Sequence, residues 1–154
     1  LLTWVAKRYN FETKFIKLSG EINTKIILLI FGKIKKILKK KNEKVLILGV
    51  AYKKNVDDYR ESPSLRLMNL LEKNKIKYDY YDPFIPKIRN SRSLKISQIS
   101  SIKLNFKKIK SYGAVIIITD HDGINYENIR KNSKIILDSR GVFQFSKYKN
   151  VVSV

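Results

Sequence analysis

Cysteine is absent from the 154 residues, which removes thiol nucleophiles, disulfide frameworks and thiolate-ligated zinc together. Histidine is almost absent: a single His121 excludes a histidine-built metal cluster or acid-base dyad. Long apolar runs are missing too. The longest, IILLIF from Ile26 to Phe31, falls far short of the roughly 20 residues that span a bilayer, so no transmembrane helix is expected. The opening LLTWVAKRYNFETK lacks the ordered basic head, apolar stretch and small-residue cleavage site of a signal peptide, which makes the cytoplasm the expected compartment. A first residue of leucine, not methionine, suggests a fragment or an unusual start.

Acidic side chains are scarce as well, 13 against 33 lysines and arginines, for a formal charge of +20. A charge of that size draws attention to nucleic acid. Here, however, the lysines are spread over every segment and accompany many Ile and Asn residues, the usage of an AT-rich coding sequence. Composition bias therefore explains the charge better than a nucleic-acid face, and the few arginines carry more information.

What is present is a change of period. From Lys14 to Lys40 the apolar positions Phe15, Leu18, Ile22, Ile26, Leu29, Ile30, Ile34, Ile37 and Leu38 recur at helical spacing, with Gly32 as the place for an interruption. A shorter helix is expected over Leu1 to Asn10, separated from it by NFETK. The long stripe has two readings of equal weight, core packing and a subunit interface. After the charged link KKKNEK, strands alternate with helices: KVLILGV, then the helix SPSLRLMNLLEK, then the strand IKYDYYDP. Lys87 to Lys110 is poorly patterned, and GAVIIITD and SKIILDSR follow as strands around the helix GINYENIRKN. Short apolar strands separated by helices predict a parallel sheet covered on both faces.

In such a sheet, ligands bind beyond the carboxyl ends of the strands. Three ends carry polar groups: Gly49, Tyr52, Lys53, Asp57, Asp58 and Arg60 after the first strand; Thr119, Asp120 and His121 after the third; Asp138, Ser139 and Arg140 after the fourth. Lys53, Arg60 and Arg140 could converge on one crevice as donors to phosphate. Ser62 as N-cap and Pro63 in the first turn would point a helix N-terminus, a ready anion site, at the same place. Against this stands a plainer reading, in which ESPS is only a cap and Arg60 only pairs with Asp57 or Asp58. Glycine is too scarce for a dinucleotide fingerprint: GVAYKK has one where GxGxxG needs three, so no self-sufficient NAD site is expected. Asp82 ends the second strand where a dinucleotide-binding sheet keeps a ribose-binding acid, but Asp-Pro is a common turn and the turn is preferred. His121 reads as a loop or capped residue, not a base.

At these residues KVLILGVAYKKNVDDYRESPSLRLMNLLEKNKIKYDYYDPFIP closely resembles the start of the UDP-binding domain of the UDP-glucose/GDP-mannose dehydrogenase family. LLTWVAKRYNFETKFIKLSGEIN looks like the central helical segment of its UDP-N-acetylhexosamine branch, and the resemblance returns at YGAVIIITDHDGINYENI and KIILDSRGVF. Members oxidise the C6 alcohol of a sugar nucleotide to a carboxylate by two NAD-dependent hydride transfers, through a cysteine-bound thiohemiacetal and thioester. The resemblance implies that Tyr52 and Lys53 contact the UDP moiety, that Arg140 reaches the same nucleotide, and that Arg60 reaches toward NAD bound by another domain.

The departures are as informative. The family's NAD-binding domain and nucleophilic cysteine precede the part that resembles Leu1 to Asn23, and this chain has neither; the Met-Pro pair often found after GEIN is here Ile26-Ile27. The expected architecture is α/β, a Rossmann-like parallel sheet with flanking helices preceded by a long helix, with 1–40 a central helical dimerisation segment and 41–154 a UDP-sugar-binding domain. The expected function is the UDP-binding part of a nucleotide-sugar 6-dehydrogenase of polysaccharide biosynthesis, inactive alone, with no catalytic residue and no metal ligands of its own. NAD belongs to the complete enzyme and is not bound by this chain alone. The expected partners are a UDP-sugar and a second copy through the long helix, or a missing N-terminal half. Two alternatives remain: one half of a split dehydrogenase completed by a separate NAD and cysteine half, and a basic nucleic-acid-binding module. The second lacks aromatic residues interleaved with basic ones on one strand face.

Overall fold

The computed structural model describes residues 14–40, 42–89, 96–145 and 147–154; the short helix read over Leu1 to Asn10 and the break after it lie outside them. Helix α1 runs Lys14–Ile37, unbroken at Gly32, which has no neighbour crowding it. It ends three residues before the expected Lys40, because Glu43 folds back and its Oε2 accepts the backbone N–H of Lys39 and Lys40 at 2.9 and 3.1 Å. Those bonds, Lys40 foremost, hold the Glu43 carboxyl below its ordinary value.

Strand β1, Val45–Leu48, is buried at every residue, as a continuous apolar run requires when both faces of a sheet are covered. Helix α2 (Pro63–Lys73) and strand β2 (Tyr78–Tyr81) follow, β2 pairing parallel to β1. The poorly patterned stretch resolves into a small antiparallel pair, β3 (Lys87–Ile88) and β4 (Ile99–Ser100), and a single helical turn, α3 (Phe106–Ile109). Strand β5 (Ala114–Ile117), helix α4 (Tyr126–Asn132) and strand β6 (Ile136–Asp138) come where the sequence places them. A fifth strand of the main sheet, β7 (Val151–Ser153), adds parallel to β6. The order is β2-β1-β5-β6-β7, all parallel. This is the expected α/β sheet with one more strand than the sequence reading.

Alternation along the strands sorts the core into two layers. Val45, Ile47, Ala114, Ile116 and Leu137 face Ile27, Ile30 and Ile34 of α1 and Leu65, Met68 and Leu71 of α2. Leu46, Leu48, Val115, Ile117 and Ile136 face Ile109 of α3 and Ile129 of α4. The core-packing reading of the long stripe holds for part of the helix. Ile27, Ile30 and Ile34 lie on the face that packs into the core, while Leu18, Ile22, Ile26 and Leu29, spaced along a neighbouring face, are exposed.

Candidate functional site

The carboxyl ends of β1, β5 and β6 lie side by side, so the loops that follow them form one rim. At the end of β1 the chain turns at Gly49, whose φ is +78°, and a Cβ there would collide with the Thr119 carbonyl; only glycine suits both constraints. Ser64 Oγ donates to the Gly49 carbonyl at 2.9 Å, and Ser62 Oγ accepts from Ser64 N at 3.2 Å. Ser62 and Ser64 are buried. The start of α2 is thus a clasp on the β1 turn, its Ser64 amide already taken by the cap, and not the open anion site expected from Ser62-Pro63.

Asp82, just past β2, organises the same turn. Its Oδ2 accepts from Val50 N at 2.7 Å and Ala51 N at 2.9 Å, while its Oδ1 accepts from Phe84 N at 2.8 Å and Ile85 N at 3.1 Å. The turn reading of Asp-Pro holds through the Oδ1 bonds. The Oδ2 bonds carry a second role, invisible in sequence because Val50 and Ala51 lie far away along the chain. His121 completes the set, with Nε2 2.9 Å from Asp82 Oδ2 and both side chains fully buried. A carboxylate holding five donors has no capacity left for a ribose. With one glycine at the turn and Asp82 saturated, the described residues do not fit an NAD site of their own.

The loop beyond Ala51 is stitched to the end of β5. Thr119 Oγ1 donates to the Ala51 carbonyl at 2.7 Å, Asn55 Nδ2 donates to Asp122 Oδ2 at 2.7 Å, and Asp122 N donates back to Asn55 Oδ1 at 3.0 Å. Lys54 Nζ pairs with Asp122 Oδ1 at 2.6 Å. The Lys54 ammonium, followed by the Asn55 amide, holds the Asp122 carboxyl below its ordinary value. A second buried acid shapes the β6 loop: Asp138 Oδ1 accepts from Arg140 N at 3.0 Å and Gly141 N at 2.9 Å, and its Oδ2 accepts from Phe143 N at 2.9 Å. The sequence reading missed this role. The available signal was an acid directly after an apolar strand and before Ser-Arg-Gly.

The four expected site residues divide into three groups. Tyr52 and Lys53 stand together and exposed, the ammonium 5.8 Å from the tyrosine ring centre. Arg140, half exposed, is fixed by a bond from Nε to Asp120 Oδ1 at 2.9 Å, and among the described residues its terminal nitrogens make no hydrogen bond. Arg60 is spent on Asp58, its Nε donating to Oδ1 at 3.0 Å and its Nη2 to Oδ2 at 2.9 Å, so the plainer of the two readings describes it. That fork lowers the Asp58 carboxyl to about 2. A hollow of about 90 Å³ lies between Tyr52, Glu61, Pro63 and Arg66 and the α1 residues Gly20 and Asn23. A larger hollow of about 510 Å³ opens by Lys44 and Tyr78, at the amino ends of β1 and β2. Size favours the second, but ligands of parallel sheets bind at the opposite strand ends, where the charged loops are, and that position decides.

An open parallel sheet between two helical layers, with strand-end loops held by buried carboxylates and arginine and lysine at its rim, defines a doubly wound α/β domain of the nucleotide-handling kind. A sequence model of the UDP-glucose/GDP-mannose dehydrogenase family, UDP binding domain, matches residues 46–145, and the chain belongs to that family. It is 30% identical over 149 residues to the UDP-N-acetyl-D-mannosamine dehydrogenase of Methanocaldococcus jannaschii, covering 90% of this chain and 32% of that protein. Among solved structures it resembles the UDP-N-acetyl-mannosamine dehydrogenase of Staphylococcus aureus (26% identity, TM-score 0.64, 92% of this chain and 33% of that one). It also shares the fold of the GDP-mannose dehydrogenase of Pseudomonas aeruginosa (16% identity, TM-score 0.74, 99% and 36%). The chain spans about a third of the length of the curated relatives it matches most strongly. Among the described residues no helix is long and apolar enough to cross a membrane.

Proposed function

We propose that this chain supplies the UDP-binding part of a UDP-N-acetylhexosamine 6-dehydrogenase of polysaccharide biosynthesis in the cytoplasm, with Tyr52, Lys53 and Arg140 on the uridine nucleotide. The observation that carries this reading is the rim itself. Lys53 and Arg140 stand on the loops after β1 and β6, Lys53 has no ion pair among the described residues, and Arg140 is held by Asp120 through Nε with the rest of its fork open. A guanidinium fixed at one nitrogen is oriented in advance for the paired oxygens of a diphosphate. NAD and the reacting thiol come from a part of the enzyme other than these residues, and Arg60 reaches it only by leaving its fork on Asp58. The exposed stripe Leu18, Ile22, Ile26 and Leu29 is the surface on which a second copy, or that other part, sits.

Calorimetric titration of UDP into the chain tests the reading. A charge-assisted hydrogen bond contributes roughly 1.5–3 kcal/mol, so Lys53→Ala and Arg140→Ala are each expected to weaken binding about tenfold or more. Arg60→Ala is expected to matter much less, since its fork is already on Asp58. Equal losses at all three positions would point to a diffuse basic surface instead, and no binding by the unaltered chain would end the proposal.

A further inference from the structure

His121 is the only histidine of the chain and its side chain is fully buried, yet nothing in the proposed binding chemistry uses it. Its ring is bonded at both nitrogens. Asn55 N donates to Nδ1 at 2.9 Å, and a backbone amide can only donate, so Nδ1 must be the lone-pair nitrogen. The ring proton is then on Nε2, which donates to Asp82 Oδ2 at 2.9 Å. The imidazole is neutral and saturated, with the Phe84 ring against it at 4.9 Å between centroids. A saturated, buried ring is no general base. What it does is connect Asp82, which grips Val50 and Ala51, to Asn55 on the far side of the loop tip.

The residues between those grips are Tyr52, Lys53 and Lys54, all exposed. Asn55 itself has φ of 59°, a left-handed conformation that asparagine tolerates, and its side chain exchanges two hydrogen bonds with Asp122. The loop tip is therefore a short span clamped at both ends by one carboxylate and one imidazole. We infer that His121, as the neutral Nε2–H tautomer joined to Asp82, is a positioning residue that holds the Gly49 to Asn55 loop so that Tyr52 and Lys53 meet the nucleotide. The inference rests on the reading of those two residues as UDP contacts.

The ring and the loop are read out separately from binding. In the ¹⁵N-labelled 154-residue chain, the sole histidine gives one pair of ring-nitrogen signals, and at neutral pH they are expected to show Nε2 protonated and Nδ1 unprotonated. His121→Gln keeps one donor and one acceptor in the side-chain amide; His121→Phe keeps the ring and removes both. The Phe variant is expected to lose UDP affinity about tenfold and to expose the Asn55 amide to fast hydrogen exchange, with the Gln variant within about threefold of the parent and its Asn55 amide protected. If the Phe variant does not fold, the tautomer and the Gln variant still decide. A ring protonated at Nδ1, equal losses in Gln and Phe, or a Phe variant with parental affinity and a protected Asn55 would each overturn the inference. An unaltered chain that binds no UDP ends the functional reading alone, since the tautomer and the exchange of Asn55 still test the clamp.

Discussion

At the scale of single residues, the exposed pair of Asp58 and Arg60 makes a clear pH statement. Arg60 lowers the Asp58 carboxyl from its ordinary 3.8 to about 2, first through the side-chain fork and then through the Arg60 backbone amide. A depressed carboxyl supports the folded loop above its unfolded-state value and loses that support as the pH falls through its folded-state value. The contribution is therefore expected to fade only between about pH 4 and pH 2. Carboxyl ¹³C shifts should show Asp58 titrating near 2, and Arg60→Ala should return it toward the ordinary range; a midpoint near 4 in the parent chain would mean that the fork is not populated. At this scale the sequence was partly legible. The Ser62 cap, the Asp-Pro turn and the pairing of Arg60 with a neighbouring acid follow from local rules, because each involves residues a few positions apart. The work of Asp82, His121 and Asp138 does not. Asp82 and His121 have partners on loops dozens of residues away, and Asp138, although its own partners are local, reads in sequence as just another acid after a strand.

At the scale of elements, α1 presents apolar residues to two environments, a buried face and an exposed one. Ile30 is fully buried against the sheet, whereas Leu29 next to it is 52% exposed. Ile30→Ala is expected to cost about 2–5 kcal/mol, the usual range for truncating a buried aliphatic side chain. Leu29→Ala is expected to change stability by no more than about 0.5 kcal/mol in the isolated chain. Urea unfolding of the two variants separates them, and a large loss at Leu29 would mean that this face is already covered by another copy. Periodicity showed the helix but not that its apolar positions divide between a buried face and an exposed one, since both sets recur at helical spacing. The edge strand β7 escaped the sequence reading for another reason. It is three residues long, exposed in part and paired on one side only, and its register is set by Asn150, whose carbonyl accepts from Ile136 N at 2.7 Å and whose side-chain amide donates to the carbonyls of Arg130 and Ser133. No hydrophobic pattern encodes such an anchor.

At the scale of the whole molecule, the parallel sheet was legible because four apolar runs alternate with helical patterns, and the family resemblance followed from motifs in a fixed order along most of the chain. The absence of cysteine bears directly on activity. The resemblance implies chemistry through a thioester, so the 154-residue chain mixed with NAD and a UDP-N-acetylhexosamine is expected to form no NADH. Absorbance of the reduced cofactor measures this, and formation in proportion to added protein would show that another route to hydride transfer exists in these residues.

The strand order β2-β1-β5-β6-β7 has a temporal meaning. Of these five strands the first in the sequence, β1, lies inside the sheet, β2 joins one of its edges, and β5, β6 and β7 then extend the other edge in the order in which a ribosome delivers them. Every newcomer meets a free edge, and none has to be threaded between two strands already joined. The wholly apolar β1 has one side unpaired until β5 arrives, so the interval between those two strands is when a nascent chain is most open to wrong partners. Closure comes last and from far away, when Lys33 of α1 donates to the Ser153 carbonyl of β7 at 2.8 Å and the earliest described helix meets the final strand.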